Sequence, residues 1–177
     1  MAELSGLVRA ELARHDWAAL RCRCRGTAEH VPELFEILLT AETARDAFGY
    51  SLDGHVECDT NIDECTPAAV GVILAALAGE VPPFVGHHFL ATLSRVAAGW
   101  DTAGPAVPGR VGDDCRAAVR EGLWPLLQRG LGGTADDAET VADIIEWFGL
   151  DDERSVYYQD LLRARVVART KRRTPKW

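Results

Sequence analysis

The stretch that most constrains this chain runs from Thr66 to Trp100, where TPAAVGVILAALAG is followed by VPPFVGHHFLATLSRVAAGW. Val70, Ile73, Leu74 and Leu77 fall at i, i+3, i+4 and i+7, the spacing of one helix face. Phe89, Leu93 and Val96 repeat the pattern, with Leu90 widening it. Gly79 and the Pro82-Pro83 pair separate the two segments, because Gly caps a helix and Pro is tolerated in a first turn. A two-helix hairpin with this much apolar surface cannot stand alone and needs further helices to cover it.

Such helices are predicted on both sides. Residues 3–14 carry Leu4, Leu7, Val8 and Leu12 on one side, and a second helix is expected from Asp16 through WAALRCRCR to Gly26. Thr27 is expected to cap AEHVPELFEILLT, with Val31, Leu34, Phe35 and Leu38 as its stripe. AETARDAFGYSLDG is expected to bury Ala44, Ala47, Phe48 and Leu52. Residues 54–65 (GHVECDTNIDEC) break the periodicity and read as an acidic, solvent-facing loop, and 101–112 is a Gly/Pro-rich connection. Three further segments continue the helical pattern: CRAAVREGLWPLLQRGLGG, ADDAETVADIIEWFGL and DERSVYYQDLLRARVVAR. The second has acids in its first turn to suit the helix dipole. The last leads into KRRTPKW. The chain therefore reads all-α, as one domain over 1–168 with a basic C-terminal tail at 169–177.

The repeat in this pattern is informative. The helices around Val31 and Val70 lie roughly forty residues apart, the period of HEAT and armadillo helix pairs. The succession HDWAAL, TAEHVPELFEILL, ARDAFGYSLDGHV, TPAAVGVILAAL and FLATLSRVAAGWD resembles HEAT-like repeat proteins of high-GC soil bacteria over residues 15–150. This resemblance implies a short right-handed α-solenoid of HEAT-like helix pairs, about nine or ten helices in all. It also implies a binding scaffold, since some members look like immunity proteins that neutralise a cognate toxin. The acidic insertion from Glu57 to Cys65 departs from the pattern.

Composition limits the partners. Net charge is −8, and the C-terminal segment from Arg163 onward holds Arg163, Arg165, Arg169, Lys171, Arg172, Arg173 and Lys176 without one acid, so the body is more acidic still. Such a body repels nucleic acid and attracts basic surfaces. No apolar run reaches the ~20 residues that cross a bilayer, and the charged N-terminus is not a signal peptide; a cytoplasmic location is expected. Five cysteines, an odd and scattered number, fit reduced thiols better than a disulfide framework.

The sequence offers no catalytic constellation, and no metal or cofactor is expected. His55-x2-Cys58-x6-Cys65 has ligand-type residues with Asp59 and Asp63 between, but zinc prefers tighter Cys/His sets. Cys22-x-Cys24, the only close pair, is placed by this reading on a helix, where i and i+2 face apart. DTNIDEC lacks the Gly and the terminal Glu of a calcium loop. His87 and His88, being consecutive, cannot share a helix face, so one is expected to face solvent while the other packs. The tryptophans sit among apolar neighbours and read as core.

The acidic residues remain as the functional lead. If the second helix of each pair lines a concave surface, Glu33 and Glu36 point there, as do Asp113 and Asp114, and Glu57, Asp59, Asp63 and Glu64 rim the same groove. The expectation is a non-enzymatic scaffold holding a basic protein partner, either as an immunity protein or as an adaptor. The alternative is a HEAT-like nucleic-acid-binding or DNA-base repair protein using Trp100, Asp101 and the basic tail.

Overall fold

The computed structural model describes residues 3–24, 26–102 and 110–173. Among the described residues are eight α-helices: α1 (Gly6–Ala13), α2 (Val31–Thr40), α3 (Thr66–Leu77), α4 (Pro83–Thr102), α5 (Arg110–Glu121), α6 (Leu123–Gly132), α7 (Ala135–Trp147) and α8 (Glu153–Arg173). A 3-10 turn spans Trp17–Ala19. Strands β1 (Glu57–Cys58) and β2 (Asn61–Ile62) form a two-stranded antiparallel ribbon. The protein is thus mainly helical, as expected. Residues 103–109 of the Gly/Pro-rich connection and 174–177 of the basic tail lie outside the described residues, as do the side chains of Trp100 and Asp101.

α3 sits at the centre. Its residues are small and apolar all round, and Ala68, Ala69, Val70, Val72, Ile73, Leu74, Ala76 and Leu77 are all buried. A helix apolar on every side is a core helix, not a surface stripe. α1, α4, α5 and α6 all pack against it. Beside it, Phe35 of α2 meets Phe89 of α4, with ring centroids 5.9 Å apart, and the same core continues through Val141, Ile144 and Ile145 of α7 to Leu162 of α8.

Local chemistry sets the ends of α7. Thr134 and Asp137 form a reciprocal capping box, which satisfies two backbone donors at once. At the other end Gly149 takes φ +58°, and the Leu150 N–H donates to the Ile145 carbonyl, a Schellman closure. The Arg116 guanidinium then donates to the Phe148 and Gly149 carbonyls, placing a cation at the negative end of the helix.

Two expected helices are absent from the described residues. Residues 16–24 form the 3-10 turn and an extended turn closed by an Arg21–Thr27 bridge. Residues 41–54 are a string of turns, with Gly49 at φ +89° and Gly54 at +80°. Those conformations suit glycine and end helical winding. Leu52 is buried as predicted, but Phe48 is 86% exposed. Among the tryptophans, Trp17 is buried and its Nε1 donates to the Leu12 carbonyl at 2.8 Å, whereas Trp124 and Trp147 are exposed. α8 runs through Arg173, so the first residues assigned to the tail continue the helix.

Candidate metal centre

The non-helical segment before α2 and the turn before β1 meet at one place. Residues 20–30 are anchored by main-chain bonds: the Cys22 N–H donates to the Gly26 carbonyl at 2.9 Å, and Ala28 donates to Leu20 at 2.9 Å. Two further bonds tie this turn to the segment between α2 and α3. Arg23 N–H donates to the His55 carbonyl at 3.1 Å, and Cys65 N–H to the Arg21 carbonyl at 3.1 Å. Thr66, the first residue of α3, donates its hydroxyl to the Val56 carbonyl at 2.6 Å and accepts from Asp63 N–H at 2.9 Å. The 52–66 loop is therefore held between the 20–30 turn and the central helix.

This packing brings Cys22, Cys24, His30 and His55 together, with one donor atom from each lying within 4.8 Å of all the others. Cys22 Sγ is 3.1 Å from Cys24 Sγ, 3.7 Å from His30 Nε2 and 3.9 Å from His55 Nδ1. Cys24 Sγ is 3.8 Å from His30 Nε2, and the two imidazole nitrogens are 2.8 Å apart. Zinc bonds of ~2.3 Å to sulfur and ~2.0 Å to nitrogen, set tetrahedrally, give donor separations of about 3.3–3.8 Å. The observed edges straddle that range. Cys22 is buried, both histidines are half-buried and Cys24 is exposed, so the cluster opens to solvent on its Cys24 side.

Burial favours the uncharged forms of two of the four donors, Cys22 and His55. Burial, followed by the neighbouring Cys24 thiol, pushes the Cys22 thiol up to about 11. Burial, then His30, lowers His55, with Asp53 pulling the other way. A divalent cation reverses the preference at the thiols by stabilising the thiolates. Zinc with two thiolates and two neutral imidazoles carries no net charge, which suits a half-buried position. Cys65, pushed up to about 12 chiefly by burial, donates to the His55 carbonyl at 3.6 Å and stands beside the four without belonging to them. Cys58 lies on β1, outside the cluster.

Sequence reasoning had His55 in view with the wrong partners. It also placed Cys22 and Cys24 on a helix that does not form. The signal that would have found them is the alternation Arg21-Cys22-Arg23-Cys24 closed by Gly26, which has the period of extended chain.

The acidic residues expected to bind a partner stand in different settings. Glu57 is fully buried and ion-paired to Arg95, which removes it from any docking surface. Burial pushes its carboxyl above the usual range, and Arg95 only partly offsets this. Asp63 pairs with Arg21 and Arg23, each at 3.5 Å, and Glu64 with Arg21 at 3.0 Å. The loop's charge is largely answered within the molecule. Asp59 is exposed at the tip of the ribbon, and Asp113 and Asp114 are exposed on α5. Glu33 and Glu36 are exposed on α2 and, with Glu3 and Arg9, line a groove of ≈ 460 Å³ floored by Leu4 and Ile37. Glu57, being buried, cannot join the other seven at an exposed surface. His87 is exposed and His88 packs inward, its Nε2 accepting the Leu52 N–H at 3.3 Å.

No protein family, no curated protein and no solved structure matches this chain.

Proposed function

We propose that this protein is a non-enzymatic helical binding module stapled by one zinc ion at Cys22, Cys24, His30 and His55. The observation that carries the reading is the convergence of four soft and borderline donors at near-tetrahedral separations. Two sulfurs and two nitrogens in that arrangement select zinc, and four protein ligands make a closed, structural site, since a catalytic one keeps a position open. The 2.8 Å between His30 and His55 also fits a hydrogen bond from one ring to the other. Two thiols at the same point are what favour a metal donor set over a histidine pair.

The test is the zinc content of protein purified without chelator. One zinc per chain is expected, lost in Cys22→Ser and His55→Ala and kept in Cys58→Ser, whose thiol lies outside the cluster. Chelation is expected to lower Tm by about 10 °C, the shift for a ligand at a thousandfold its Kd contributing ~4 kcal/mol to a chain of this size. Protein that neither retains zinc nor takes it up when metal is added, with an unchanged Tm, would refute the site.

What the module binds is the second part of the proposal. Glu33 and Glu36 beside the apolar floor of Leu4 and Ile37 favour a basic protein segment, as an immunity protein or adaptor would meet. The HEAT-like solenoid belongs to the same reading on the strength of the repeat period; the helix pairs α3–α4, α5–α6 and α7–α8 are present, while α4 also packs directly on α7. The acidic body disfavours the nucleic-acid alternative.

A further inference from the structure

The last helix has two faces. Ser155 and Leu162 are buried, and Gln159 and Arg163 reach back to Ala142, Asp143 and Glu146 of α7. The opposite face is bare. Tyr157, Leu161, Ala164 and Ala168 recur at i, i+4, i+7 and i+11, the spacing of a coiled-coil seam, and all four are exposed. Tyr157 is 63% and Leu161 42% exposed. Tyr157 lies edge-on to Tyr158, which in turn lies edge-on to Trp124, so the bulky end of the seam is braced.

Three features of α8 identify what covers this seam. First, side-chain size is graded: two large residues lie toward the N-terminus and two alanines toward the C-terminus. An antiparallel second copy sets Tyr157 opposite Ala168 and Leu161 opposite Ala164, whereas a parallel copy sets large against large and small against small. Second, charge is graded the same way. Asp151, Asp152, Glu153 and Asp160 accompany the first half against Arg154 alone, while the sequence from Arg163 to Arg173 carries Arg163, Arg165, Arg169, Lys171, Arg172 and Arg173 and no acid. Third, α8 has 21 residues and α7 has 13, about 31 Å against 20 Å at 1.5 Å per residue, so α8 outruns its neighbour. An antiparallel partner brings the acidic start of one copy beside the basic end of the other, twice, about a two-fold axis.

We propose that two copies of this chain associate through α8, antiparallel, with Leu161 against Ala164 at the dyad. The inference is independent of the metal site. The four seam residues alone bury less than the ~1,200 Å² at the lower end of specific interfaces, so the flanking charged side chains must contribute and a weak dimer, micromolar at the tightest, is expected.

Sedimentation velocity of the full chain across roughly 1–200 µM tests this. A monomer–dimer equilibrium is expected, weakened at least tenfold by Leu161→Glu, a change at an exposed position that leaves the far-UV circular dichroism and Tm intact. The geometry has its own test. The double variant Tyr157→Cys/Ala168→Cys is expected to cross-link as a dimer under mild oxidation above the wild-type background. Neither single variant should, because like residues lie about 16 Å apart along an antiparallel pair. A monomer at every concentration overturns the proposal, as does a dimer indifferent to Leu161→Glu. Cross-linking by the single variants overturns the antiparallel arrangement.

Discussion

At the residue scale, His88 shows how burial dictates a protonation state. Its Nε2 accepts a backbone N–H, a role open only to the ring with that nitrogen unprotonated. Burial foremost, then Arg95 and His87, hold its pKa below the usual value, with Asp53 opposing. The folded chain therefore binds fewer protons than the unfolded chain as pH falls through about 6.5, and stability is lost below that point while being fully present above it. His88→Gln keeps an acceptor and cannot titrate. The Tm of the wild type is expected to fall more steeply between pH 7.5 and 5 than that of the variant; parallel curves would assign the acid loss to other groups. Single residues were also where reading the sequence succeeded least. That two adjacent histidines do not share a helix face follows from helix geometry alone. That Cys22 and Cys24 meet His30 and His55 does not, because the meeting depends on two turns whose paths are set by long-range contacts with Cys65 and Thr66.

At the element scale, the ribbon of β1 and β2 is built on an unusual turn. Asp59 and Thr60 both take positive φ, +48° and +65°, as a two-residue hairpin of this hand requires, although a β-branched residue rarely adopts it. The ribbon survives there because it is pressed onto α4. A Cβ on Gly99 would come within 1.9 Å of the Thr60 carbonyl oxygen, and Glu57 of the ribbon is paired to Arg95 one turn earlier on the same helix. Gly99→Ala is accordingly expected to cost about 2–3 kcal/mol by pushing the ribbon off α4, read as a drop in Tm with the helical content retained. A change within error would show that the ribbon can step aside freely. The helices were the legible elements. α3, α4 and α7 lie where periodicity and prolines place them, α7 with its Thr134 cap, whereas α2 begins at Val31 with His30 as its N-cap and not at Thr27. The apolar residues of 41–54 recur at helical spacing and predict a helix, but Gly49 and Gly54 adopt conformations that stop winding.

At the scale of the whole molecule, charge is distributed with a purpose that a net value hides. Asp63 and Glu64 are spent on Arg21 and Arg23 beside the metal centre, and Asp143 and Glu146 on Arg163 between α7 and α8. Glu33 and Glu36 remain exposed on the α1–α2 groove. A basic partner drawn to this protein should therefore respond to α2 and not to the acidic loop. Charge reversal by Glu33→Lys/Glu36→Lys is expected to slow association and flatten its salt dependence, whereas reversal of Asp59 leaves both nearly unchanged. Equal sensitivity at the two places would return the loop to the docking surface.

The four donors of the metal centre all come from the first third of the sequence. A chain made from its N-terminus presents Cys22, Cys24, His30 and His55 before α3 and the five described helices after it exist. With zinc bound as proposed, the first fixed point of the molecule is set during synthesis. The 22–55 loop is closed early, and the hydrophobic centre is then laid down against a piece already in shape.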